Sequence, residues 1–200
     1  MAISPKNSMT LSEELAWRGM INQTSFSDIS AIDKGKIVFY HGFDASAPSQ
    51  TVGNLAAMMV DLVFLRHGHK AIVLAGGATS LIGDPGGKDK ERPMQTIETI
   101  NTNVTAAKNQ IKKIYREHDF TLVNNIDWSK KINVLDFLRD VGKYFNVGEM
   151  VKKDYIATRI GEGGTWISYT EFSYSLLQGL DFLHLFQEYN CTLQIGGSDP

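Results

Sequence analysis

The sequence predicts an α/β fold: a doubly wound parallel sheet with a helical insertion. Three observations carry this. Apolar runs at Ile37 to Tyr40, Ala71 to Ala75, Phe120 to Asn124 and Thr192 to Ile195 are short and largely continuous. Strands buried on both faces read that way, whereas strands with one wet face alternate. Helical stretches separate these runs, and strand–helix alternation builds parallel sheets. Each run also ends in glycine or polar residues, at Tyr40 to Asp44, Gly76 to Thr79, Asn124-Asn125 and Gly196 to Asp199. Ligands of open α/β sheets sit outside the carboxyl ends of the strands, so the four ends define one expected crevice.

The elements follow in order. Thr10-Leu11-Ser12-Glu13 is a capping box, and it opens a helix through Trp17 to Met20. After the first strand, a turn holding Gly42, Asp44, Pro48 and Ser49 leads into a helix over about Val52 to Arg66. That helix is apolar nearly all round, so deep burial is expected, with Gly68 as its C-cap. The second strand ends in Gly76-Gly77-Ala78-Thr79, and a Gly-, Asp- and Pro-rich loop runs from Ser80 to about Pro93. A long polar helix, about Thr96 to Glu117, places Ile97, Ile100, Val104, Ile111 and Ile114 near one face. Two helices are expected after the third strand, about Val134 to Phe145 and Met150 to Ile160. Ser168-Tyr169-Thr170-Glu171 is a second capping box and opens a helix through about Gln187.

Composition narrows the class. With 42% hydrophobic residues, 200 residues can bury one substantial core. A net charge of −2 argues against a chain that coats nucleic acid, though it leaves room for a local basic patch. The single cysteine, Cys191, excludes an intramolecular disulfide framework and reads as a small buried hydrophobe. No apolar stretch approaches the length of a membrane span, and the N-terminus lacks a signal-peptide pattern. The expectation is a cytoplasmic protein with no membrane partner.

Two groups of residues point to chemistry. From Lys36 to Asn54, a strand feeds a helix through a turn of small residues. Such a turn aims unpaired backbone N–H groups at one point, which suits phosphate. Further on, Tyr174, Gln178 and Asp181 stand at i, i+4 and i+7 and share one helical stripe among Leu176, Leu177, Leu180, Phe182 and Leu183. That stripe either faces solvent or is buried and needs polar partners; spacing leaves both open. Tyr40 alone reads first as a core aromatic, and Lys88 to Arg92 as a solvated charged loop.

Taken together, these segments resemble the tyrosyl-tRNA synthetases of class I, by five motifs in order over nearly the whole chain. Gly42-Phe43-Asp44 and Thr51-Val52-Gly53-Asn54 stand where that family has Gly-Phe-Asp and His-x-Gly-His, with both histidines replaced. Gly76 to Lys88 resembles the second strand-end loop, and Asn124 to Trp128 resembles Asn-Asn-Tyr-Asp-Trp. Glu171, Phe172, Tyr174, Leu177, Gln178 and Asp181 match the helix that lines the amino-acid pocket, and Gln194 to Asp199 matches Gln-Ile-Gly-Gly-Ser-Asp. Tryptophanyl-tRNA synthetases are the nearest alternative, since their signature often ends in Gly-Asn. Asp181 with Tyr40 and the Gly-Gly-Ser-Asp turn favour tyrosine.

The resemblance implies a Rossmann-type catalytic domain over residues 1–200, with a helical dimerisation insertion at about 130–165. It implies activation of L-tyrosine by ATP with Mg²⁺, then transfer to tRNA(Tyr), in a homodimer. In the tyrosine site, Asp181 and Tyr40 would hold the phenol. Tyr174, Gln178, Thr79 and Asp84 would hold the ammonium group, with Asn125 and Gln194 as further pocket contacts. Gly42, Asp44, Gly53, Gly197 and Asp199 would hold ATP and the adenylate. Ser46, Thr51, Asn54, Lys88 and Arg92 would stabilise pyrophosphate, Thr51 and Asn54 in place of the histidines. The family continues past this point with a fifth strand, a lysine-rich loop and an anticodon-binding domain. The expectation is therefore an N-terminal fragment, truncated before its last strand and doubtful in activity alone. A non-catalytic tyrosine-binding or dimerising remnant is the other reading.

Overall fold

The computed structural model describes residues 9–82, 95–161, 164 and 166–197. Among them, β1 (Val38–Phe43), β2 (Lys70–Ala75), β3 (Phe120–Asn124) and β4 (Leu193–Ile195) form one sheet in the order β3-β2-β1-β4. Every pairing is parallel, with Tyr40 opposite Ile72 on one side and Gln194 on the other.

Helices cover both faces, as a doubly wound sheet requires. Phe39 and Phe43 pack with α1 (Leu11–Trp17), α2 (Val52–Arg66) and α4 (Ile97–Tyr115), through Leu11, Leu15, Met58, Phe64, Ile100 and Ile111. The alternate β1 residue, Tyr40, joins Ile72, Leu74, Val123, Trp128 and Leu185 on the opposite face. There the cover comes from α5 (Ile126–Ser129) and α9 (Tyr169–Tyr189). Remaining helices are α3 (Gly77–Ile82), α6 (Val134–Asp140), α7 (Val147–Met150) and α8 (Asp154–Ile160), with 3₁₀ turns at Ile29–Lys34 and Gly142–Tyr144.

Both expected capping boxes are present, at Thr10/Glu13 and Ser168/Glu171. Two glycines terminate helices in the left-handed region, Gly19 at φ +66° and Gly68 at φ +78°. At each, two backbone N–H groups fold back on the last carbonyls: Gly19 and Met20 on Ala16 and Leu15, Gly68 and His69 on Leu65 and Phe64. This stops α1 at Trp17 rather than Met20.

Several boundaries differ from the sequence reading. β1 extends to Phe43 because its ladder with β2 continues to Ala75, so Gly42 lies inside the strand and Tyr40 mid-strand. The start of the expected loop at Ser80 is helical. Deep burial of α2 holds for Met58, Asp61, Val63, Phe64 and Leu65 but not for its first turn, where Val52 is 83% exposed. On α4 the buried stripe is Ile100, Asn103, Ala107, Ile111 and Tyr115, and Ile97 is exposed.

The two helices expected between 134 and 160 are several short pieces. Asn133 Oδ1 accepts from the N–H groups of Leu135 and Asp136, and Asn146 Oδ1 from that of Gly148 at 2.8 Å. Each asparagine starts a new helical turn rather than continuing the last. α9 runs on to Tyr189 and leaves Leu183 and Phe186 exposed, and β4 begins at Leu193 instead of Thr192.

Candidate active site

The crevice at the carboxyl ends of the strands is held together by amide side chains. After β2, the N–H of Gly76 donates to Phe43 O at 2.9 Å and joins two strand ends. The first turn of α3 docks on β3's end, where Gly77 N–H donates to Asn124 Oδ1 at 3.2 Å and Ala78 N–H to Asn125 Oδ1 at 2.7 Å. A side chain at residue 77 would collide with the Asn124 amide, so glycine is required by this approach.

Asn125, which the sequence offers as a turn residue or a pocket contact, is buried and bonds within the protein. Its Nδ2 donates to Asp181 Oδ2 at 2.9 Å, while Trp128 Nε1 donates to Asp181 Oδ1 at 2.8 Å. The α9 stripe is therefore not solvent-facing. Tyr174 is buried and Asp181 is 3% exposed, with Gln178 half-buried between them. Trp128 is legible in the sequence only as the last letter of the Asn124–Trp128 motif; nothing in its spacing marks it as Asp181's donor.

Burial raises the Asp181 pKa from 3.8 to about 6, against the lowering effect of the Asn125 and Trp128 hydrogen bonds. Tyr40, on the same side of the sheet, has its phenol pushed far above tyrosine's ordinary range by burial first, then by the charges of Asp181 and Cys191. A carboxylate offers about four acceptor positions and two are occupied here. The pair Tyr40/Asp181 is thus suited to a hydroxyl-bearing ring. Thr79 sits behind it, buried, with Oγ1 3.5 Å from Asn125 Nδ2. Gln178 and Gln194 line a cavity of about 490 Å³ with Phe145, Met150, Ser175 and Phe182.

The other half of the crevice starts at Asp44, whose Oδ1 would lie 3.0 Å from a Cβ at Gly76. The turn that follows is tied to α4: Asn103 Nδ2 donates to Ala45 O at 2.8 Å, and Gln110 Oε1 accepts from Gln50 N–H at 2.9 Å. Gln95 Nε2 donates to Ser46 O at 2.7 Å, leaving the Ser46 side chain exposed. The sequence does not single out Asn103 or Gln110, since polar residues on a polar helix carry no mark of their partners.

Thr51 is the N-cap of α2, and with Asn54 it forms a third capping box. Thr51 Oγ1 donates to Asn54 Oδ1 at 2.7 Å and accepts from Asn54 N–H at 3.3 Å. The hydroxyl expected to meet phosphate is therefore engaged in capping. Asn54 keeps its Nδ2 donors outside the box, and Gly53 stands beside them in the first turn of the helix. Gly42 and Gly197 are exposed near the strand ends. Asp84, Lys88, Arg92 and Asp199 lie outside the described residues.

The family model for tRNA synthetases class I (W and Y) matches residues 33–200. The chain is 45% identical over 193 residues to the tyrosine–tRNA ligase of Pediococcus pentosaceus, covering 96% of this chain and 46% of that protein. It is 44% identical over 199 residues to the tyrosine–tRNA ligase of Listeria monocytogenes, again covering 96% of this chain and 46% of the relative. The chain thus spans about half the length of the curated relatives it matches. Among solved structures, it resembles a C-terminally truncated mitochondrial tyrosyl-tRNA synthetase of Aspergillus nidulans, with TM-score 0.84 and 32% identity over 96% of this chain and 58% of that one. An Archaeoglobus fulgidus tyrosyl-tRNA synthetase complexed with L-tyrosine shares the fold, with TM-score 0.60 and 16% identity over 81% of this chain and 46% of that one.

Proposed function

The chain belongs to the class I (W and Y) tRNA synthetases, and from that membership we propose that it carries the tyrosine- and ATP-binding half of a tyrosine–tRNA ligase. The observation that carries the choice of tyrosine is the buried Asp181, held by Asn125 and Trp128 on the face that also presents Tyr40. Phenylalanine would leave that carboxylate and phenol unpaired, and steep rejection of a ligand lacking its hydroxyl is the known behaviour of this enzyme activity. The named relatives support tyrosine over tryptophan.

The proposed reaction is attack by the tyrosine carboxylate on the α-phosphate of ATP, releasing pyrophosphate, followed by transfer of the tyrosyl group to the terminal ribose of tRNA(Tyr). Protein groups position the reactants and bind charge that develops on pyrophosphate. Tyr174, Gln178, Thr79 and Asp84 would orient the ammonium group, with Gln194 at the pocket wall. Gly42, Asp44, Gly53, Gly197 and Asp199 would hold the nucleotide. Mg²⁺ is proposed to enter with the triphosphate of ATP. Among the described residues, no helix is long and apolar enough to cross a membrane. A homodimer through the 130–165 insertion is supported by Val134, Leu135, Leu138, Tyr144 and Val147, all exposed and apolar.

Calorimetry with L-tyrosine and L-phenylalanine tests the assignment. Tyrosine should bind at least a hundredfold tighter, on the scale of about 3 kcal/mol for a buried group left unpaired. Comparable affinities would overturn it.

Thr51, Asn54, Ser46, Lys88 and Arg92 are proposed to stabilise pyrophosphate, with Thr51 a weak substitute because its hydroxyl is committed to the cap. Thr51→His in the full-length protein is expected to raise the rate of tyrosine-dependent ATP–pyrophosphate exchange about tenfold, with little change in tyrosine affinity. The same change should cost about 1 kcal/mol of stability through loss of the N-cap. An unchanged or lower exchange rate would remove Thr51 from the phosphate site.

A further inference from the structure

The indole that donates to Asp181 is also stacked against a residue outside the tyrosine and ATP sites proposed above. Trp128 sits on α5, a helix of four residues, and packs in the buried cluster with Tyr40, Ile72, Leu74, Val123 and Leu185. Its Nε1 edge is held by Asp181, and its face is held by His184, one turn further along α9. The His184 and Trp128 rings are stacked, with centroids 4.2 Å apart and planes 21° apart. α9 therefore grips one indole at two points, carboxylate at the edge and imidazole on the face.

The surroundings suit a neutral stacking ring. Burial lowers the His184 pKa, Lys131 lowers it further and Glu188 opposes, while the Tyr189 ring approaches at 6.4 Å. Behind the stack lies a cavity of about 300 Å³, bordered by Leu122, Asp127, Lys131 and Tyr189 as well as by both rings. Without the imidazole, the face of the indole that borders this cavity loses its cover, and only the buried cluster and Asp181 would hold the ring in place. If the ring turns, the buried carboxylate keeps Asn125 as its one remaining donor of the two. Stacking on its face limits the tilt of the indole plane, and with it the direction of the Nε1–H.

We propose that His184 is a positioning residue for substrate recognition: by stacking on Trp128 it aims the indole N–H at Asp181 and so holds the carboxylate that reads the tyrosine hydroxyl. The recognition part rests on the tyrosine assignment; the aiming of Trp128 does not.

The test compares His184→Ala with His184→Phe, which keeps a flat ring, in two measurements. The first is the Trp128 indole ¹H–¹⁵N resonance, assigned with Trp128→Phe. It should move to the position of a weaker hydrogen bond in His184→Ala and return in His184→Phe. The second is the ratio of tyrosine to phenylalanine affinity, which should fall about tenfold in His184→Ala and recover in His184→Phe. An indole resonance unmoved in His184→Ala overturns the proposal, as does a ratio that falls equally in both variants. If the resonance behaves as expected but the unmodified protein shows no preference for tyrosine, the tyrosine assignment fails and the positioning of Trp128 stands.

Discussion

Asp181→Ala is expected to abolish the preference for tyrosine over phenylalanine, a loss of about 2–4 kcal/mol in relative binding free energy. The substitution removes the acceptor proposed for the ligand hydroxyl and leaves the Asn125 and Trp128 donors turned toward a space without an oxygen. It should also remove a pH dependence. The folded pKa of about 6 lies above the ordinary 3.8, so between those values the folded protein holds a proton that the unfolded chain has lost. Stability from this group is therefore full below pH 3.8 and lost as pH rises through about 6. The difference amounts to about 3 kcal/mol. Tyrosine affinity runs the other way, increasing through the same window as the carboxylate ionises and becomes the stronger acceptor. Urea unfolding and tyrosine calorimetry at pH 5 and pH 7.5 check both signs. An Asp181→Ala protein that keeps the wild-type preference would refute the role.

The second large effect lies on the other face of the sheet. Asp61, on α2, is fully buried; its Oδ2 accepts from Tyr115 Oη at 2.5 Å and pairs with His41 Nδ1 at 2.7 Å. Burial, with Asp61 adding to it, pushes the Tyr115 phenol upward, so it stays a protonated donor. The triad ties β1, α2 and the end of α4 to one carboxylate. Asp61→Ala strands two buried polar side chains at once and is expected to cost about 3–5 kcal/mol. Tyr115→Phe removes one donor and should cost about 1–3 kcal/mol. Asp61→Leu combined with His41→Leu and Tyr115→Phe should recover most of the loss, because an all-apolar cluster has no polar group left to satisfy. Chemical denaturation measures all three. A cost below about 1 kcal/mol for Asp61→Ala would mean that the network is not taut.

Residues close in sequence announce their structure. Thr10/Glu13 and Ser168/Glu171 cap helices where the spacing places them, and Gly68 ends α2 at positive φ. The capping box at Thr51/Asn54 is equally local, yet asparagine stands where the usual pattern has glutamate or glutamine, so spacing alone does not mark it. Boundaries differ wherever a distant partner or a competing side chain intervenes. β1 gains three residues from its ladder with β2, and the 134–160 stretch breaks where asparagine side chains compete with backbone hydrogen bonding.

By itself, then, the sequence determined the parallel α/β class, the family, and the polar residue types gathered at the strand ends. Those properties live in periodicity and in motifs a few residues long. Tertiary structure alone decided which partners each polar group took: Asp181 with Asn125 and Trp128, Asp61 with His41 and Tyr115, Trp128 with His184. All five pairs join residues 20 to 56 positions apart, where sequence spacing carries no distance. A buried polar group takes whatever complementary atom the packed chain brings within about 3 Å, and only folding determines which atom that is.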